Sequence, residues 1–138
     1  MYASKQDMMT RFGEREMIQL TDRAVPPTGE IDDAVLALAL ADAGALIDSY
    51  VSRRYDLPLA TTPVVVRGLC MTIARYTLHR GRHPEEVRKD YEDALDYLKQ
   101  VSTGVAVLDV GGSEPKSAPA QVVVDSAGRT FSRKKRWF

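Results

Sequence analysis

The chain has 138 residues, 44% hydrophobic and 28% charged, with 19 basic and 19 acidic side chains and no net charge. That length suits one domain with a core adequate for independent folding. A single cysteine, Cys70, excludes an intramolecular disulfide and a cysteine-based zinc cluster. No run approaches the ~18 consecutive apolar residues that span a bilayer, so no membrane partner is expected. The first ten residues place Lys5 and Asp7 in an amphipathic order unlike a secretory signal, and the expectation is a protein made in a cytoplasm.

Neutrality conceals a split. Arg129, Arg133, Lys134, Lys135 and Arg136 fall in the last ten positions, which hold no acid, so residues 1–128 carry 14 basic and 19 acidic groups, a net −5. A basic segment on an acidic body suits either a nucleic-acid arm or an arm that docks on the acidic surface of another subunit.

In chain order, residues 2–13 form a short helix with Ser4 as N-cap, Asp7 as a weaker capping-box partner and Gly13 as the stop. Residues 14–20 make a second short helix, with Met17, Ile18 and Leu20 available for burial. Residues 21–30 (TDRAVPPTGE) are a loop, given two prolines and a glycine.

The longest single periodicity follows. Val35, Leu36, Ala39, Ala43, Leu46, Ile47, Tyr50 and Val51 recur at spacings of three and four, predicting a central helix over about 32–55, roughly 35 Å long. Asp32 and Asp33 suit its start, the pair Arg53 and Arg54 its last turn, and Pro58 forbids its continuation. In residues 56–59 both leucines should fold back onto the core.

A helix over about 62–80 opens with Thr62 as cap and Pro63 in the first helical position. Its apolar residues, among them Val66, Leu69, Cys70 and Ile73, occupy more than one face. A strand over 64–66 is the competing local reading, since three valines favour it. A third long helix, about 84–103, is charged outward, with Val87, Tyr91, Ala94, Leu95, Leu98 and Val101 inward, and Gly104 ends it.

Residues 105–110 and 121–125 are short β-prone runs separated by the linker-like GGSEPKSAP. Alone, such a hairpin is marginal. The expectation is an all-α fold: a helical bundle domain over 1–104, and an extended arm over 105–138 with room for short β segments, mobile in the free monomer.

Chemistry-bearing residues are sparse. His79 and His83 have helical metal-ligand spacing, but Gly81 and Pro84 break the helix there and Arg75, Arg80 and Arg82 would repel a cation; a solvated helix end accounts for them better. Cys70 on an apolar helix reads as core. Asp42 and Asp48 read as the solvated side of the long helix. Gly111 and Gly112 lack the lysine and helix of a phosphate loop. The residue pattern therefore suggests no enzyme, cofactor or metal site.

The segment RTFSRKKRWF is the candidate binding site: Arg129, Phe131, Arg133, Lys134, Lys135, Arg136, Trp137 and Phe138. Arginine and tryptophan are preferred anchors at protein interfaces. The alternative is a nucleic-acid-binding protein whose cations meet phosphates while its aromatics stack on bases.

The opening MYASKQDMMTRFGEREMIQLTDR, the phrase ALIDSYVSRRYDLPL, and LCMTIARYTLHR followed by PEEVRKDYEDALDYLKQVSTG together resemble the Mu-like phage head-to-tail connector proteins. The resemblance runs from residue 1 to about 108, and the remainder matches no pattern of that family. It implies a non-enzymatic helical adaptor of the virion neck, assembled in the bacterial host cytoplasm. It also implies that the adaptor joins the portal protein after DNA packaging and forms a portal-matched homo-oligomeric ring of about twelve-fold symmetry. Its further partners would be a tail-proximal connector or tail terminator protein and the packaged DNA in the channel. On this reading residues 129–138 anchor it to the portal or to a neighbouring subunit.

Overall fold

Five helices follow one another in the predicted order, in a computed structural model that describes residues 1–111. They are α1 (Lys5–Phe12), α2 (Glu14–Thr21), α3 (Asp33–Val51), α4 (Val64–Leu78) and α5 (Glu85–Thr103). The fold is all-α, a small bundle in which α3 lies against both α4 and α5 while those two pack on each other. No strand forms among the described residues, and the valine run at the start of α4 is helical.

The two short helices have strong local punctuation. Ser4 Oγ accepts from the Asp7 N–H at 3.2 Å and the Asp7 carboxylate accepts from the Ser4 N–H at 3.0 Å, a complete capping box rather than a weak one. Gly13 then takes φ 93°, which its missing Cβ permits, and separates α1 from α2. Helices of 8 residues are marginal alone; Met8 and Met17, both at 0% exposure, tie them into the core.

The loop between α2 and α3 is closed by Asp22, whose carboxylate accepts from the Gly29 N–H at 2.7 Å and from Thr28 Oγ1 at 3.2 Å. Those donors, the Gly29 amide foremost, hold its carboxyl below the usual range.

α3 is shorter than its periodicity suggests. Asp32 caps it by accepting from the Ala34 and Val35 N–H groups, but it ends at Val51, where the chain tightens through Arg54 N–H to Val51 O at 3.0 Å. Arg54 is therefore not a solvated residue of the last helical turn: it is 9% exposed and lies against Gly104. A Cβ at Gly104 would sit 2.0 Å from Arg54 Nη1, so both its φ of 91° and this close approach require glycine. Tyr55, 2% exposed, accepts the Leu108 N–H on its hydroxyl at 2.8 Å.

Three further details depart from expectation. The caps of α4 and α5 are Pro63 and Pro84, one residue later than predicted, because proline's extended ψ places it just outside each helix. Leu59 packs on the core as predicted, whereas Leu57 stays 37% exposed. And one stretch does reach membrane-spanning length and composition, namely the 19 residues of α3. Asp42 and Asp48 interrupt it, and its inner side, Leu36, Ala39, Leu40, Ala43, Ile47 and Val51, is the centre of the bundle core.

After a bend at residues 105 and 106, burial alternates along the segment, with Leu108 and Val110 buried at 4% and 1% while Val105 and Val107 face outward at 75% and 63%. The chain thus returns to the α3–α4 connection, at Tyr55 and Thr61, before leaving the described region.

One buried polar group joins α2 to α3. The Thr21 hydroxyl, at 0% exposure, donates to Met17 O at 2.7 Å and accepts from the Asp32 N–H at 3.0 Å. Thr21→Val keeps the shape but strands that amide, and should lower unfolding free energy by about 1–3 kcal/mol in urea titrations. Thr21→Ser should lose much less.

Candidate functional site

Of the polar groups that might carry chemistry, all but Asp42 make structural contacts. His79 Nδ1 donates to Arg75 O at 2.9 Å and His83 Nε2 to Tyr76 O at 3.0 Å, so both rings satisfy carbonyls of the last turn of α4. The His83 ring stacks on Tyr76 at 3.9 Å, and Tyr76 stacks on Tyr91 at 3.8 Å, a three-ring column that joins the α4–α5 connection to α5. Among the described residues no group of three or more His, Cys, Asp or Glu could hold a metal ion.

Cys70 is fully buried with Sγ 3.8 Å from Leu40 O. Burial pushes its thiol up to about 11, far from the thiolate that a nucleophile needs.

Asp42 and Asp48, the two aspartates in the body of α3, part company. Asp42 is exposed. Asp48 is half-buried and accepts a short hydrogen bond from the Tyr2 hydroxyl. Burial first, and Asp48 second, raise that hydroxyl's pKa well above the ordinary phenol value. The reading of Asp48 as simply solvated is thus corrected, because a partner 46 residues away reaches it.

Arg75 is a second long-range tie. Its guanidinium meets Glu16 with Nε–Oε2 at 2.6 Å and Nη2–Oε1 at 3.1 Å and covers the Phe12 ring at 4.5 Å, holding α1, α2 and α4 together. No sequence spacing announces a pair 59 residues apart.

Among the described residues, two of the outward apolar surfaces have no element packed over them. One is a groove of about 520 Å³ between α4 and α5, edged by Arg11, with Val64 at 79% and Val65 at 40% exposure. The other is the outer side of α3, where Ala34, Ala37, Ala41 and Ala45 are exposed and Leu38 stands out at 64%. The eight residues singled out in the sequence, Arg129, Phe131, Arg133, Lys134, Lys135, Arg136, Trp137 and Phe138, lie outside the described residues, as does the β-prone run 121–125.

Residues 2–126 match the model of a protein family described as Bacteriophage Mu, Gp36. The chain belongs to this family. It is 33% identical over 134 residues to the Mu-like prophage FluMu protein gp36 of Haemophilus influenzae, covering 96% of this chain and 94% of that protein. It is 32% identical over 139 residues to gene product J of Escherichia phage Mu, covering 99% of this chain and 98% of that protein. Likeness to the Gp36 family thus reaches beyond residue 108, where the sequence motifs alone stop being legible. The family match ends before the basic aromatic segment 129–138.

The buried thiol has a consequence for pH. An unfolded thiol ionises near its ordinary 9.0, whereas the folded one holds its proton to about 11. The contribution is whole below about pH 9 and declines by about 1.4 kcal/mol per pH unit as pH rises toward 11. Tyr2 adds a decline of the same sign above its ordinary 10.0. Denaturant unfolding at stepped pH should show this slope, and Cys70→Ala should flatten it between pH 9 and 10.

Proposed function

We propose that this protein is a structural component of the virion neck, a head-to-tail connector that joins the portal protein once DNA is packaged. There it forms a homo-oligomeric ring and offers a platform to a tail-proximal connector or tail terminator protein. Membership of the Mu Gp36 family is the observation that carries this reading, since it gives the chain a phage context. The architecture suits it. Asp48 through Tyr2 and Arg75 through Glu16 tie distant segments together, while apolar surfaces are left facing outward, as a part built for assembly requires.

In this reading residues 129–138 are the chief anchor. Five cations and the aromatics Phe131, Trp137 and Phe138 follow a body of net charge −5, so docking on a portal or a neighbouring copy neutralises charge while desolvating large side chains. Assembly takes place in the host cytoplasm and the finished ring sits between head and tail.

The same cations support a second reading, contact with nucleic acid. The two separate experimentally. Deleting residues 129–138 should abolish retention on portal-bearing, tail-less heads in co-sedimentation; unchanged retention and unchanged ring formation would refute the anchor. If the segment serves DNA instead, the full chain should be held by double-stranded DNA at low salt, with affinity falling by roughly 0.9 log units per phosphate contact for each log unit of salt.

A further inference from the structure

We infer that the α4–α5 groove of one copy receives the outer side of α3 from a second copy, in a contact that repeats head to tail. It rests on the connector reading only for its place in a ring; the contact itself follows from the surfaces.

The groove is shallow, with buried Leu69 and Ala94 among its apolar lining. The Arg11 tip lies over Gly68, where a Cβ would meet its Nη1 at 3.3 Å. Val64 and Val65 lie uncovered at its α4 edge. α3 presents the converse shape. Positions 34, 37, 38, 41 and 45 share one stripe at helical spacing; all are apolar and exposed, and Leu38 projects beyond the alanines. Alanines allow a facing backbone to approach at the short end of the ~8–10 Å range, and a single leucine supplies a knob for the groove.

Charge gives the pair its direction. Arg11 edges the groove on the α1 side, with Arg67 beside it, and Asp90 and Asp93 stand on the α5 side. The outer side of α3 likewise carries both signs: Asp42 flanks the stripe beside Leu38, and Arg80 lines the same recess as Leu38 and Asp42. Among the described residues Asp42, Arg67, Arg80 and Asp90 form no ion pair within their own chain, and Asp93 has only Lys89 at 3.4 Å. With Leu38 of a second copy over Val65, the pairing this contact calls for is Asp42 with the arginines and Arg80 with the aspartates. Such exposed pairs set register and exclude wrong partners more than they add affinity.

The two surfaces cannot satisfy each other within one chain. No α3 residue lines the groove, and α3's inner side is occupied by α4 and α5. Two different patches in contact make a heterologous interface, which propagates until it closes as a ring or runs on as a filament.

Thiol-specific cross-linking of the full chain tests this, because native Cys70 is buried. A mixture of the Ala41→Cys and Val65→Cys variants, treated with a bismaleimide at protein concentrations up to about 1 mM, should yield a mixed dimer. The double variant should yield a ladder, and either single variant alone should stay monomeric on the gel. In sedimentation velocity Asp42→Arg should weaken self-association at least tenfold, and adding Arg11→Glu to the same chain should restore it.

A dominant Ala41→Cys homodimer, oligomers without the mixed product, or a chain that remains monomeric throughout would overturn the inference. Head binding separates it from the connector reading. A ladder from a chain that never binds portal-bearing heads leaves the contact standing and removes the connector. Equal binding and ring formation by wild type and by Leu38→Asp, an exposed position whose change is checked for helicity, does the reverse.

Discussion

Everything in this fold depends on covering the inner side of α3. Leu36, Leu40, Ile47 and Val51 stand at 0–2% exposure, and burying four such side chains supplies on the order of 6–12 kcal/mol before entropy is set against it. α4 and α5 are the walls of that core. The short helices α1 and α2, too brief to persist alone, close its ends through Met8 and Met17 and are clamped by Tyr2 to Asp48 and by Arg75 to Glu16. Even the segment after α5 is recruited, with Leu108 and Val110 completing the cluster.

That constraint also explains what the polar residues are for. The capping box of α1, the Thr21 bridge, the Asp22 loop closure and the two histidines at the end of α4 all answer the same need, since backbone donors and acceptors near a packed interior must find partners. Arg54 is drawn in for a different reason: its guanidinium fills the space left by Gly104. Charge left over is found on the outside, on α5 and on the rims of the outward apolar surfaces.

Membership of the Mu Gp36 family and this architecture bear on each other. The matched region spans residues 2–126, so it takes in the whole described bundle. The buried inner side of α3 makes that bundle one packed unit, while the outer side of α3 and the α4–α5 groove are left facing outward.

Much of this was legible in the chain alone, and the reason is locality. Apolar residues at spacings of three and four, the Ser4 to Asp7 box, Asp32 before its helix, and glycines at 13 and 104 act within a turn or two, so they located all five helices to within a few residues. The basic aromatic segment was equally plain as composition, though its residues 129–138 lie outside the described structure. α3 itself was half legible. Its alanines and leucines are apolar all round, so periodicity could not say that Leu40 and Gly44 would be covered while Leu38 would not.

What sequence determined by itself, then, is where helices start and stop and that they are helices, because those energies are set by neighbours along the chain. Only the tertiary structure decided which side of α3 became core, why its helix stops at Val51, and that Asp48 and Arg75 are bound by Tyr2 and Glu16, 46 and 59 positions away. Those outcomes depend on surfaces that exist only once distant helices have met.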